Sequence, residues 1–173
     1  MLDIQTISAM DRGDFIAAIG PVFEHSPWIA ERAWEARPFA DLAALHAALA
    51  AAITAASPAE QLALLNAHPE LAGRAARAGE ITAESRGEQG RAGLDQLTEA
   101  ELAQFDELNR DYRARFGFPF IIAVHGRGKT EILQAFERRL SCDPGSEVAT
   151  AFGQVAEIGR LRLERLLTAP GDG

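Results

Sequence analysis

The chain has 173 residues, of which 47% are hydrophobic and 24% are charged, so it suits one domain around a single core and is too apolar for a disordered protein. A net charge of -8 excludes the basic footprint that non-specific nucleic-acid binding requires. The only cysteine, Cys142, excludes an intramolecular disulfide and favours a reducing, cytoplasmic location.

The first half of the chain reads as capped helices. Ser26 as an N-cap before Pro27 predicts a helix over "SPWIAERAWEARP". The alanine-rich run "FADLAALHAALAAAITAAS" follows, and Asp41 and His46 interrupt it. Because alanine is only weakly apolar, this run predicts a buried helix, and we expect no membrane span.

The next helix, "SPAEQLALLNAH", begins at the capping-box pair Ser57 and Glu60. It is predicted to end at His68, because Pro69 disfavours the helical conformation of the residue before it. Pro69 also suits the first turn of a new helix, "PELAG", which would place the imidazole beside exposed backbone N–H groups. His68 is therefore either a helix-capping histidine without chemistry or an acid–base group at an element boundary.

The stretch "AESRGEQGRAGL" mixes three glycines with polar and charged residues. Ser85 and Glu88 have capping-box spacing, which is a purely structural interpretation. The functional interpretation is a flexible polar segment that supplies the Glu88 carboxylate and the Gln89 amide to a site. The residues alone leave both interpretations open.

A long amphipathic helix is predicted for "TEAELAQFDELNRDYRARFG", with Thr98 and Glu101 as a capping box and Gly117 as the C-terminal cap. The apolar run "FPFIIAV" that follows, residues 118 to 124, has no second run to pair with, so we expect a lone extended segment. The glycine-rich "VHGRGKT" is not a nucleotide-binding P-loop, because Ala123 occupies the position of a required glycine. Thr130 is the predicted N-cap of the next helix.

The last helix carries an arginine on its apolar face. At about 100° per residue, Arg162 falls in the middle of an arc formed by Val148, Phe152, Val155, Ile158 and Leu166. A buried guanidinium is costly unless it is paired or meets an anion. We therefore predict an anion site at Arg162, against the alternative of an arginine whose charged end extends to solvent near the helix terminus.

These segments together predict an all-α fold, in which residues 1–173 form a single-domain helical bundle of about seven to nine helices with one short extended segment near 118–124.

Four segments, in order along the chain, resemble the 2-oxo-4-hydroxy-4-carboxy-5-ureidoimidazoline (OHCU) decarboxylase family. They are "FEHSPWIAERAWEARPF", "LLNAHPELAG", "SRGEQGRAGLDQLTEAELAQFDELNRDYRARFGFPFIIAV" and "EIGRLRL". The resemblance implies a cofactor-independent carboxy-lyase that converts OHCU to (S)-allantoin, the last step from urate to allantoin in purine degradation. It also implies a homodimer that works without metal or organic cofactor on a small ureide.

The resemblance assigns site residues position by position. It implies that His68, Glu88 and Arg162 are catalytic, and that a further set contacts the substrate: Pro69, Ser85, Gln89, Phe120, Ile121, Ile122, Ala123 and Val124. Which of His68 and Glu88 delivers a proton to the ring carbon stays open. Two alternative functions also stay open, a non-catalytic helical domain that binds a partner and a cofactor-free enzyme acting on a related ureide.

Overall fold

The computed structural model describes residues 2–168, which contain ten α-helices and no strand. The helices are α1 (Ile4–Ala9), α2 (Arg12–Ile19), α3 (Trp28–Ala33), α4 (Leu42–Thr54), α5 (Pro58–Ala67), α6 (Arg74–Arg77), α7 (Ala83–Arg91), α8 (Glu99–Phe116), α9 (Lys129–Leu140) and α10 (Pro144–Thr168). The all-α prediction is confirmed. The helices outnumber the predicted seven to nine because α1 and α6 have only 6 and 4 residues, too few for a periodic pattern. Met1 and residues 169–173 of the predicted domain lie outside the described part.

The chain divides into two compact units. Unit 1 comprises Met1–Ala67 and Ala156–Gly173, and unit 2 comprises His68–Val155. Helix α10 therefore contributes residues 144–155 to unit 2 and its remaining residues to unit 1.

The core of unit 1 is aliphatic with one aromatic pair. Phe15 and Phe39 stack with their ring centroids 5.9 Å apart. The predicted alanine-rich helix is α4, and its N-cap Asp41 accepts a hydrogen bond from the N–H of Ala44 at 2.8 Å. Its buried residues are Leu45, Leu49, Ala52 and Ile53. None of the described helices is by itself long and apolar enough to cross a membrane; α4 and α5 reach that length and composition only as a pair bent by 117°.

Three of the predicted helix caps are confirmed. Ser57 and Glu60 exchange the capping-box hydrogen bonds, and these bonds together with Arg32 lower the pKa of Glu60 to about 2. Thr98 and Glu101 form the second capping box. Gly117 ends α8 with φ of 80°, a left-handed conformation that glycine adopts without strain.

Two predicted caps are wrong. Ser26 does not cap α3, because its hydroxyl donates to the carbonyl of Glu24 at 2.8 Å and Pro27 takes the N-cap position. Thr130 does not cap α9, because the helix begins at Lys129 and its N-cap is Gly128, two residues before the predicted cap. In each case a neighbouring residue, Pro27 or Gly128, takes the N-cap position, and no hydroxyl caps the helix.

The core of unit 2 is an aromatic cluster around Tyr112. Its ring meets those of Phe118, Phe120 and Phe136 edge-on at centroid distances between 5.4 and 5.8 Å. Phe120 and Phe136 stack at 3.9 Å. The predicted extended segment thus begins inside this cluster, and residues 118–124 are all buried.

Two glycines of α10 are expected to respond oppositely to alanine. A Cβ at Gly159 would lie 2.7 and 2.8 Å from atoms of the buried Phe23 ring, whereas a Cβ at Gly153 would point into open space. We expect Gly159→Ala to destabilise the protein by about 1–3 kcal/mol through overpacking. The same change at Gly153 should stabilise it by up to about 1 kcal/mol, because alanine is the better helix former. Urea denaturation of both variants tests this, and equal midpoints would contradict the close contact at Phe23.

Candidate active site

His68 lies at the boundary that the sequence predicts. Helix α5 ends at Ala67, and the His68 side chain that follows is 7% exposed. The predicted "PELAG" helix is wrong, since residues 69–73 form a turn and the next helix, α6, begins only at Arg74. The imidazole therefore precedes a turn and does not sit at a helix N-terminus.

The turn of residues 70–73, here called the His68 turn, is held by side chains from three helices. The Ala72 N–H donates to Gln89 Oε1 on α7 at 2.9 Å, and the Ala72 carbonyl accepts from Arg77 Nη1 on α6 at 2.8 Å. The Leu71 carbonyl accepts from Asn109 Nδ2 on α8 at 2.9 Å. These bonds satisfy backbone groups that a helix would have paired internally, which explains why the helical expectation fails here.

The second motif is helical, so the predicted flexible segment is wrong. Helix α7 spans Ala83–Arg91, and its N-cap is Thr82, whose hydroxyl accepts from the N–H of Ser85 at 3.3 Å. The capping-box interpretation of Ser85 is therefore wrong as well. A glycine in a helix interior costs about 1 kcal/mol relative to alanine. Contacts between α7 and the rest of unit 2 offset this cost.

Helix α7 presents its three candidate residues on one side. Ser85, Glu88 and Gln89 are three and four residues apart, a spacing that places side chains on the same helix face. Ser85 and Gln89 are buried and Glu88 is half-buried. Gln89 also donates from Nε2 to the carbonyl of Glu70 at 3.5 Å. Through Gln89, the face of α7 that carries Glu88 contacts the turn that follows His68.

Side chains bind the backbone of the buried segment 120–124 at Ile121 and Ala123. The Ile121 carbonyl accepts from Arg139 Nη1 at 2.7 Å, and the Ala123 N–H donates to Gln154 Oε1 at 2.9 Å. The N–H groups of Phe120, Ile122 and Val124 donate no hydrogen bond within residues 2–168. In an extended chain, alternate residues direct their backbone groups to opposite sides. These three N–H groups therefore share one side and can pair with a ligand, whereas the Val124 carbonyl already accepts from the Arg127 N–H at 3.0 Å.

A buried ion pair supports this segment. Arg139 binds the fully buried Glu147 carboxylate at 2.5 Å, and its guanidinium lies 4.5 Å from the centroid of the Phe120 ring. Tyr112 donates its hydroxyl to the same carboxylate. Burial and this carboxylate raise the pKa of Tyr112 above its ordinary range, so its hydroxyl remains a donor.

Arg162 is buried and paired. It lies in unit 1, where its Nη2 is 2.9 Å from Glu24 Oε1 and its Nη1 donates to the Val22 carbonyl at 3.2 Å. The two side chains are 5% and 1% exposed, so the alternative of an arginine reaching to solvent is wrong. Of the residues predicted to lie on the buried face of this helix, Val155 is buried, whereas Val148 is 37% exposed.

The predicted site residues fall in both units. His68, Pro69, Ser85, Glu88, Gln89 and residues 120–124 belong to unit 2, whereas Arg162 belongs to unit 1. The sequence analysis missed Glu24 and Asn109. Both are buried polar residues. Glu24 follows the apolar run "PVF", and Asn109 lies at helical spacing from Phe105 and Tyr112, so each falls at an apolar position of its segment and that is the signal that could have found them.

An imidazole and a carboxylate on contacting elements can act as an acid–base pair, and unpaired amide groups of a buried backbone can bind an amide-rich ligand. Neither feature by itself specifies a reaction.

Comparison with known proteins indicates which reaction these features serve. A family model described as OHCU decarboxylase matches residues 8–164. The OHCU decarboxylase of Halalkalicoccus jeotgali is 42% identical over 172 residues, which cover 99% of this chain and 95% of that protein. The enzyme of the same name from Bos taurus is 42% identical over 166 residues, covering 96% of this chain and 98% of that protein. A crystal structure of (S)-allantoin synthase superposes with a TM-score of 0.75 at 28% identity, covering 96% of this chain and 54% of that one.

Proposed function

Because the chain belongs to the OHCU decarboxylase family, we propose how its residues divide the work of that reaction. The protein is a carboxy-lyase that converts OHCU to (S)-allantoin in urate degradation. The observation that carries our assignment of residues is the pair of hydrogen bonds between Gln89 and the His68 turn, one accepted and one donated by Gln89, which links the two motifs.

The reaction must break a carbon–carbon bond and hold the electron pair left behind. The bond between the ring carbon and the carboxylate breaks, CO₂ leaves, and the pair passes into the conjugated imine of the ring. The hydroxyl then loses its proton as its oxygen becomes a carbonyl, and a ring carbon gains a proton. The former imine nitrogen takes one further proton from solvent, which balances the negative charge of the carboxylate lost as CO₂. Because the substrate itself accepts the electron pair, we propose that no cofactor takes part.

His68 and Glu88 are proposed to remove the proton of the hydroxyl and to deliver the proton to the ring carbon. The imidazole is buried at the end of α5, and the carboxylate is half-buried on the face of α7 that reaches the same turn. A positioned acid–base group commonly contributes about 10²–10⁴-fold to a rate. Proton delivery from one face of the ring explains a single allantoin enantiomer.

The remaining polar groups are proposed to bind the ureide. Ser85 and Gln89 lie beside Glu88 on α7, and Pro69 fixes the backbone next to His68. The N–H groups of Phe120, Ile122 and Val124, with neighbouring carbonyls, match the alternating donors and acceptors of a ureido group. Ile121 and Ala123 keep this backbone in register through their bonds to Arg139 and Gln154.

Arg162 is proposed to bind the negatively charged carboxylate of the substrate. A planar guanidinium carries five N–H donors, so it can serve Glu24 and a carboxylate together. Its burial strengthens the interaction with an anion, because little water competes.

Glu88→Gln is expected to lower kcat by about 10²-fold or more, because glutamine preserves the shape of the side chain but cannot exchange a proton. Glu84→Gln is the matched control, since Glu84 is exposed in the first turn of the same helix. The decay of OHCU absorbance measures both rates. A Glu88→Gln enzyme as fast as the parent would remove Glu88 from the proton pathway.

The activity itself can be tested in one mixture of urate, urate oxidase, hydroxyisourate hydrolase and this protein. Since OHCU decays unaided, the decisive readouts are the rate of its loss and the enantiomeric excess of allantoin. A racemic product at the uncatalysed rate would favour a non-catalytic partner-binding domain. Faster turnover of another ureide would favour the related-substrate alternative.

A homodimer in the cytoplasm is also proposed. The single, half-buried Cys142 suits a reducing compartment. Sedimentation equilibrium of the purified protein tests the dimer, and a species of 18.6 kDa at all concentrations would contradict it.

A further inference from the structure

The His68 turn is held in a conformation that its own sequence does not favour. Ala72 has φ of 51°, in the left-handed region that residues with a side chain rarely adopt. Gly73 follows it, and a Cβ there would lie 2.7 Å from Glu70 Cβ, so only glycine fits without rearrangement. A strained turn of this kind persists only where the surrounding structure fixes it.

Packing supports this turn incompletely. A cavity of about 330 Å³ in unit 2 is lined by Ala72 of the turn, by the polar or charged residues Arg77, Arg86, Gln89 and Asp95, and by small and apolar residues of the adjoining segments. A cavity provides no van der Waals contacts on that side. The hydrogen bonds with side chains of α6, α7 and α8 therefore help to hold the turn, together with its own bond from the Gly73 N–H to the Glu70 carbonyl.

Asn109 is the most unusual of these donors. It is 4% exposed and lies on the apolar face of α8 with Phe105, Leu108 and Tyr112. Its Nδ2 donates to the Leu71 carbonyl, whereas its Oδ1 has no partner in the described part of the chain. A buried acceptor without a partner destabilises a fold, so packing alone would favour an apolar residue here.

Arg77 is the complementary donor on α6. Its Nη1 donates to the Ala72 carbonyl and also binds Asp106 Oδ1 at 2.9 Å. Since Asp106 is exposed, the ion pair itself adds little stability, and the bond to Ala72 is the directed contact of this side chain.

We propose that Asn109 and Arg77 are positioning residues that set the orientation of His68 towards Glu88 by holding the turn of residues 70–73. Pro69 is the only residue between His68 and this turn, and its ring fixes its own φ, so we expect a displacement of Leu71 or Ala72 to reach the imidazole. The inference rests on the proposed acid–base role of His68. Neither residue touches the substrate in this proposal.

The test replaces each donor and its nearest equivalent. Asn109→Leu and Asn109→Ala both remove the donor, but only leucine fills most of the space. Gln104→Ala is the control, because it removes an amide on the exposed side of α8 that binds Glu137. Arg77→Met removes the donor to Ala72, and its control, Asp106→Asn, weakens the ion pair while retaining that donor.

Both Asn109 variants are expected to lower kcat by about 10–100-fold, the effect of a displacement of roughly 1 Å in a catalytic group. Arg77→Met should lower it by about 3–10-fold, since the turn then loses one of its hydrogen bonds but keeps the others. KM should change less than kcat, and the enantiomeric excess of allantoin should fall. The His68 ring signals in a ¹H–¹³C NMR spectrum should shift in these variants and stay in place in both controls.

Parent-like kcat in Asn109→Leu with a loss in Asn109→Ala would show that Asn109 only fills space and would overturn its positioning role. Unchanged His68 signals in Arg77→Met, which alters an exposed side chain and should fold, would overturn the role of Arg77. The NMR readout also separates this inference from the proposed function. Shifted His68 signals in Asn109→Leu, combined with parent activity in His68→Ala, would overturn the acid–base role and leave the turn contacts intact.

Discussion

Replacing His68 by alanine is expected to lower kcat for OHCU by about 10²–10⁴-fold while leaving the helical fold intact. The side chain is buried just after α5, so alanine leaves a small cavity there, whereas His68→Gln keeps most of the volume and separates that defect from lost proton transfer. His68→Gln should lose nearly as much activity, because an amide can hydrogen-bond but cannot exchange a proton at neutral pH. Stopped assays with OHCU generated in place measure both variants.

His125→Ala provides the matched control, since His125 is an exposed histidine in the loop before α9. It should retain the parent kcat, and circular dichroism should show the same helical content in all three variants. The uncatalysed decay of OHCU sets the floor, so the comparison is made on the enzymatic excess rate and on the enantiomeric excess. A His68→Ala enzyme that still produced one enantiomer at the parent rate would require a different acid–base residue.

Local signals in the sequence predict where helices end. They do not predict turns that are stabilised by residues distant in the sequence. Pro69 acts on the residue directly before it, so the end of α5 at Ala67 follows from backbone sterics alone. The His68 turn instead depends on Gln89 and Asn109, which lie 17 and 38 residues away from the groups they bind. No pattern within "PELAG" reveals those partners, which is why a helix is predicted where a turn is found.

The same distinction applies to helix α7. Its glycines and charges indicate a flexible segment when only local preferences are considered. Buried Ser85 and Gln89 make contacts that the sequence pattern does not show, and these contacts stabilise a helix that propensity disfavours. The candidate residues are nevertheless found by the resemblance, because it depends on residue identity and not on the predicted backbone.

Helical periodicity identifies Arg162 as an inward-facing cation but cannot name its partner. Glu24 lies 138 residues earlier in the chain, and its burial becomes visible only when α10 and the segment before α3 are both folded. This pair changes the expectation for substitutions at Arg162. Removing the guanidinium alone leaves a carboxylate that is 1% exposed without its cation.

Arg162→Leu is therefore expected to destabilise the protein by about 3–5 kcal/mol as well as to abolish most turnover, since an uncompensated buried charge is costly. The double variant Arg162→Leu/Glu24→Leu removes both charges. It should recover most of that stability, because replacing a buried ion pair by apolar side chains is often neutral or stabilising. Chemical denaturation and OHCU kinetics on the two variants and on Glu24→Leu measure stability and activity separately.

The double variant distinguishes a structural arginine from one that binds substrate. If Arg162 holds the anionic substrate, the recovered stability brings back no turnover, because leucine at position 162 offers no donor to the substrate carboxylate. If Arg162 only neutralises Glu24, stability and kcat/KM recover together. Recovery of both would remove Arg162 from the site and assign the carboxylate of OHCU to donors of unit 2, with the unpaired N–H groups of residues 120–124 as the first candidates.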